Sequence, residues 1–119
     1  PTETEISHVI GEVNGKRPIM IDDMISTAGT VTRAVDGLLE LGAIPEITLA
    51  ATHPVFIPPA IERLSHPAIK EVVVTDTIPY TGHLGKINVL SVAPLLASAI
   101  RNVHDNQSVS QLFSEPTRG

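Results

Sequence analysis

The apolar positions of this chain fall into short uninterrupted runs that alternate with longer segments of helical spacing. Pro18-Ile-Met-Ile-Asp22 follows the turn-like Asn14-Gly15-Lys16-Arg17, which predicts a buried strand stopping at two aspartates, Asp22 and Asp23. From Thr30 to Leu41 the residues Val31, Ala34, Val35, Leu38 and Leu39 recur at helical spacing, so a helix is expected there, with Gly42 as its C-terminal cap. Glu46–Ala51 reads as a second strand, and Ala60–Leu64 as a short helix begun after Pro58-Pro59. Glu71–Thr75 reads as a third strand and Lys86–Leu90 as a fourth, entered from the loop Thr81-Gly-His-Leu-Gly85. In a last helix Val92, Leu95, Leu96, Ala99, Ile100 and Val103 form a stripe expected to pack on the sheet. Asp105 and Asn106 read as its end. Residues 107–119 form a polar tail, broken by Leu112 and Phe113, on a single domain spanning 1–119.

Strands alternating with helices imply an α/β domain: a Rossmann-like parallel sheet with right-handed crossovers and helices on its faces. Ligands then belong at the C-terminal ends of the strands. Those ends carry Asp22-Asp23, Thr52-His53 and Thr75-Asp76-Thr77, so three loops bring polar groups to one edge.

Composition narrows the field. The 119 residues are 42% hydrophobic but only 3% aromatic, so the core must be aliphatic. A net charge of −5, with no Lys/Arg stripe, argues against nucleic acid and anionic membrane as partners. No apolar run approaches the roughly 20 residues of a membrane span. The absence of cysteine excludes disulfides and thiolate chemistry and fits a cytoplasmic setting. Pro1 and the polar opening Pro-Thr-Glu-Thr-Glu read as a truncated or processed start.

The segment richest in chemistry is Ile19-Met-Ile-Asp-Asp-Met-Ile-Ser-Thr-Ala-Gly-Thr30: a strand, two acids, a small-residue turn and a helix start. A phosphate against the turn can accept hydrogen bonds from the free N–H groups of Ser26, Thr27, Ala28, Gly29 and Thr30, and the helix dipole favours its charge. Thr27 and Thr30 add hydroxyls. Ala28 and Gly29 keep bulk low, and Gly29 also tolerates positive φ. Asp22 and Asp23 can accept hydrogen bonds from sugar hydroxyls or hold Mg²⁺. Taken alone, the same string also reads as a strand ending in two surface acids before a helix capped by Ser26 or Thr27. It is not a Walker loop, since Gly11-Glu-Val-Asn-Gly-Lys16 is one residue short and lacks the hydroxyl.

The string Ile21-Asp-Asp-Met-Ile-Ser-Thr-Ala-Gly-Thr30 resembles the phosphoribosyl-pyrophosphate motif shared by type I phosphoribosyltransferases and ribose-phosphate diphosphokinases. Ala51-Thr-His53, Pro59-Ala-Ile-Glu-Arg63, Val72-Val-Val-Thr-Asp-Thr-Ile-Pro79 and Ser108-Val-Ser-Gln-Leu-Phe113 are similar, in order, to the C-terminal half of the diphosphokinases. The resemblance implies a phosphoribosyltransferase type I-like fold. It also implies transfer of the β,γ-pyrophosphoryl group of ATP to the 1-hydroxyl of ribose 5-phosphate, with Mg²⁺ required. Asp22 and Asp23 would then hold the ribose hydroxyls and the metal, and Ser26 to Thr30 the 5-phosphate. ATP would be bound mainly by the N-terminal half of the same enzyme, where the family's catalytic basic residues lie, so this chain would be only part of the active protein. Ser108, Ser110 and Phe113 resemble the family's regulatory phosphate segment, and read equally as an ordinary docked tail. The family generally forms homo-oligomers.

The chain departs from the pattern at Ser26, where family members usually carry Asp, and at Pro54 and Pro58, where they commonly carry Gly. Proline cannot copy a glycine-dependent conformation. No Lys or Arg flanks the Asp22–Thr30 loop closely in sequence. His53 reads as a loop-positioning residue or a ligand contact, while Thr75, Asp76 and Thr77 are expected chiefly to tie loop ends together. The five histidines lack close metal-ligand spacing. Met20 and Met24 read as core. Two further readings stay open: a phosphoribosyltransferase, and a non-catalytic synthetase-associated subunit that binds a sugar phosphate.

Overall fold

Backbone pairing in parallel is blind to side-chain polarity, so the strand expected to stop at Asp22 runs through both aspartates. The structure, a computed structural model, describes residues 11–114. In it, β1 covers Ile19–Ile25 and pairs with β2 (Ile47–Pro54) as far as Ile25 opposite Pro54. Asp22 and Asp23 therefore lie inside a strand. Two more strands, β3 (Ile69–Thr75) and β4 (Ile87–Leu90), complete a four-stranded parallel sheet of order β1-β2-β3-β4. Helix α1 (Gly29–Glu40) joins β1 to β2, and α2 (Ala60–Leu64) joins β2 to β3. Helix α3 (Ala93–His104) follows β4, and a 3-10 turn spans Ser110–Phe113.

A strand order that advances in one direction, with crossovers of one hand, puts the connecting helices on one face. The buried residues agree. Met20 pairs with Leu49, Leu49 with Val72 and Val72 with Ile87, a row that crosses all four strands. This row packs with Val31 and Val35 of α1 and with Ala60 and Leu64 of α2 in one aliphatic core. Each fully buried Val, Leu or Ile contributes about 1.5–3 kcal/mol, so α1 and α2 are firmly seated. Helix α1 ends as its sequence predicts. Gly42 takes φ 90, its N–H reaches the Leu39 carbonyl, and the Ala43 N–H reaches that of Leu38, which satisfies the last turn.

The opposite face departs from expectation. Ile21, Ala50, Val73 and Asn88 form the alternate row, and no helix among the described residues covers it: Ile21 is 82% and Leu90 60% exposed. Nor does the α3 stripe pack on the sheet. No residue of α3 is buried, and Ile100 is 70% exposed. Periodicity marks the side of a helix that seeks an apolar partner, but the partner must be supplied by something else. Of the expected 107–119 tail, residues up to Ser114 are described, and the opening segment with Pro1 and His8 lies outside the described residues.

Candidate functional site

Between the last residue of β1 and the first of α1 the chain turns in three residues, Ser26, Thr27 and Ala28. The turn is made at Ala28, which sits in the left-handed region at φ 63. The positive φ that Gly29 would tolerate is taken one position earlier by Ala28, and Gly29 already belongs to the helix. An αL residue directly before a helix makes an anion-binding concavity of successive N–H groups.

The segment after β2 straps this turn from behind. The Phe56 N–H donates to the Ile25 carbonyl at 3.0 Å and the Ile57 N–H to that of Ser26 at 2.9 Å. Arg63 Nη1 donates to the Thr27 carbonyl at 3.0 Å. Three consecutive carbonyls are engaged. Among the described residues, by contrast, the N–H groups of Thr27 to Thr30 have no protein acceptor, and the hydroxyls of Ser26, Thr27 and Thr30 make no hydrogen bond. Neither Ser26 nor Thr27 caps α1, whose N-terminus has no side-chain cap. The helix-cap reading is thereby removed, because the donors it would satisfy are left open.

Asp22, Asp23, Ser26, Thr27, Ala28, Gly29 and Thr30 all line one cavity of about 200 Å³, together with Met24, Ile25 and Val31. Met24, expected in the core, is 46% exposed and belongs to this wall, while Met20 packs on the core as expected. Both carboxylates are exposed. One oxygen of Asp22 accepts the Asp23 N–H at 2.7 Å, and one oxygen of Asp23 accepts the Met24 N–H at 2.8 Å. Hydrogen bonding with the Asp22 side chain, and then with the Met24 N–H, holds the Asp23 carboxyl below its ordinary value. Asp22 also borders a neighbouring hollow of about 210 Å³ on the uncovered sheet face, lined by Ile21, Ala50, Val73, Thr75 and Leu90.

Two cations come near the loop by different routes: the fold brings Arg63 from a distant segment, whereas Arg33, three residues past Thr30, is returned by the first turns of α1 although no Lys or Arg was expected to flank the loop closely. A Cβ on Gly29 would lie 3.1 Å from Arg63 Nη1 and 3.8 Å from Arg33 Nη1. Arg63 was legible only as part of Pro59-Ala-Ile-Glu-Arg63; its contact with Thr27 spans 36 residues of chain.

The other strand ends have structural duties. His53 Nδ1 lies 2.9 Å from Thr77 Oγ1, and the Thr75 hydroxyl donates to the Thr52 carbonyl at 2.7 Å. Asp76 accepts the Ser91 hydroxyl at 2.7 Å and the Val92 N–H at 2.8 Å, bonds that lower its carboxyl pKa. Thr75, Asp76 and Thr77 join loop ends, as expected, and His53, for which two readings were open, meets the loop through Thr77. Ser108 and Ser110 bond to each other at 2.6 Å beside an exposed Phe113, and none of the three lines the loop cavity. Pro54 is buried where β2 ends, and Pro58 precedes Pro59 through a cis peptide bond.

For a metal, the described residues bring together no group of three or more His, Asp or Glu side chains. The Asp22–Asp23 pair offers two carboxylates, each with one oxygen not engaged by the backbone. Such a partial oxygen set suits Mg²⁺, which keeps several waters and shares its shell with a phosphate. The arrangement as a whole can seat an anion on backbone N–H groups and hydroxyl or cation partners on the adjoining carboxylates.

The family model of the phosphoribosyl synthetase-associated domain matches residues 2–114. The chain is 52% identical over 112 residues to a ribose-phosphate pyrophosphokinase of Caldanaerobacter subterraneus, covering 92% of this chain and 35% of that protein. To the enzyme of the same name from Bacillus subtilis it is 47% identical over 116 residues, covering 96% of this chain and 36% of the other. Among solved structures, phosphoribosylpyrophosphate synthetase from Mycobacterium smegmatis matches with a TM-score of 0.77 at 46% identity, over 82% of this chain and 33% of that one. The chain thus spans about a third of the length of these relatives.

Proposed function

This chain belongs to the phosphoribosyl synthetase-associated domain family, and from its loop geometry we propose that the Asp22–Thr30 cavity binds ribose 5-phosphate for a ribose-phosphate diphosphokinase. In that reaction the sugar's 1-hydroxyl attacks the β-phosphorus of ATP, AMP departs, and phosphoribosyl pyrophosphate forms. The observation that carries the reading is the turn itself: its carbonyls are bonded on one side and its N–H groups and hydroxyls are left without protein partners, beside two exposed carboxylates. The 5-phosphate sits on the N–H groups of Thr27 to Thr30, where the α1 dipole favours its charge. Asp22 and Asp23 orient the ribose hydroxyls.

Asp22 and Asp23 are also the residues that would hold Mg²⁺, which would supply charge neutralisation on the phosphoryl oxygens. This chain's own contribution is positioning, the larger part of what phosphoryl transfer asks of a protein. We assign the chain to the C-terminal half of the enzyme, with ATP and the catalytic basic residues in the N-terminal half. The uncovered sheet face beside Asp22 supports a larger assembly, since exposed apolar area of that kind marks an interface. A homo-oligomer in the cytoplasm completes the reading; no helix of the described residues is long and apolar enough to cross a membrane.

Calorimetric titration of ribose 5-phosphate, with and without Mg²⁺, tests the proposal directly. Saturable binding that strengthens with Mg²⁺ and is lost in Gly29→Val is the expected result. Binding unaltered by Gly29→Val would place the sugar elsewhere and sink the assignment.

A further inference from the structure

The turn before α1 has three tethered carbonyls, and they are not held alike. Those of Ile25 and Ser26 are held by backbone N–H groups of Phe56 and Ile57, whereas that of Thr27 is held by a side chain, Arg63. In a trans peptide the C=O and the following N–H point in opposite directions. Bonding the carbonyls to the strap therefore turns the N–H groups of Ser26, Thr27 and Ala28 the other way. The Thr27–Ala28 peptide is the one most ready to rotate, because Ala28 holds φ 63 and a non-glycine residue is strained in that region. Rotation would relieve the strain. It would also turn the Ala28 N–H away from the ligand side and bring the Thr27 carbonyl round to it, where oxygen would face phosphate oxygen.

We propose that Arg63 is a positioning residue for the sugar-phosphate site, holding the Thr27–Ala28 peptide in the orientation that receives the 5-phosphate. The inference rests on the reading of that cavity as the sugar-phosphate site. Three further observations support it. Helix α2, which carries Arg63, is anchored on the sheet by Ala60 and Leu64, both fully buried, so the guanidinium is presented from a fixed base. Arg63 is itself half-buried, and its bond to a neutral carbonyl is charge-assisted. Finally, Nη1 passes 3.1 Å from where a Cβ on Gly29 would stand, closer than ordinary contact. Gly29 is not at positive φ, so its lack of a side chain serves this approach rather than its own backbone.

The test is a titration series on the intact protein, with ribose 5-phosphate and inorganic phosphate as probes, and with thermal melting beside each variant. Arg63→Ala should bind ribose 5-phosphate about tenfold more weakly or worse, the size expected for losing one hydrogen bond to a charged group. Arg63→Lys keeps the charge without the guanidinium's reach and should recover only part of the loss. Methylguanidinium in solution should restore binding to Arg63→Ala, and not to the wild type, which a purely structural role would not produce. Gly29→Ala, which crowds the guanidinium without truncating it, should weaken binding several-fold. In the Arg63→Ala background it should add nothing.

Wild-type affinity in Arg63→Ala, or additive losses in the double variant, would overturn the role of Arg63 and leave the sugar-phosphate reading standing. Absence of any binding by the wild type would overturn that reading and the inference with it. If Arg63→Ala does not fold, Arg63→Lys and Gly29→Ala decide the matter: wild-type affinity in both overturns it.

Discussion

At Ala28 the backbone pays for the loop's shape, because φ 63 brings the Cβ of a buried residue against its own carbonyl. A β-branched side chain there would add strain and overpacking, so Ala28→Val is expected to destabilise the fold by about 2–3 kcal/mol, read by denaturant unfolding. Asp22 and Asp23 present the opposite case. Both are exposed, and each accepts from the N–H of the residue after it, so Asp22→Asn and Asp23→Asn should leave the melting temperature nearly unchanged. Each should nevertheless weaken Mg²⁺-dependent binding of ribose 5-phosphate by about tenfold or more. Equal loss of melting with unaltered binding would count against their assignment. Most of this site could be read from the string Asp22 to Thr30, since the turn is built from consecutive residues and the donors it leaves open are backbone groups. Arg63 could not, because 36 residues separate it from Thr27 and only the packing of α2 closes that gap.

At the scale of elements, α2 and α3 behave differently for a reason of burial. Leu64 is fully enclosed between α2 and the sheet, so Leu64→Ala should cost about 2–5 kcal/mol and loosen the strap behind the turn before α1. Hydrogen exchange at Phe56 and Ile57, whose N–H groups form that strap, would register the loosening. Helix α3 has no buried residue and is fastened at its start by Asp76, which accepts from Ser91 and Val92. Those bonds hold the Asp76 carboxyl below its ordinary 3.8. A carboxylate with a depressed folded pKa contributes above its unfolded value and loses that contribution as pH falls through the folded one. Amide exchange in the first turn of α3 should therefore be faster in Asp76→Ala than in the wild type at neutral pH. The difference should close on acidification below about pH 4.

For the whole molecule the decisive feature is asymmetry: one sheet face is sealed by α1 and α2, and the other leaves Ile19 at 71% and Ile21 at 82% exposure. Charged substitutions at such sites seldom unfold a domain, so Ile21→Lys and Leu90→Lys should shift stability by no more than about 0.5 kcal/mol. Both should lower the binding of a hydrophobic dye and any self-association in light scattering, since they interrupt the apolar patch. By itself the sequence determined the order of strands and helices, the aliphatic character of the core, the capping at Gly42 and the small-residue turn from β1 into α1. All of these are written in local spacing or in residues adjacent along the chain. The tertiary structure decided what local spacing cannot carry. It continued β1 through Asp22 and Asp23, because strand pairing depends on backbone rather than side-chain polarity. It placed the left-handed turn at Ala28, not at the glycine that would tolerate it without strain, and brought Arg63 to the loop. It also left the α3 stripe and one sheet face without a partner, because an amphipathic pattern specifies a surface to be covered and not the segment that covers it.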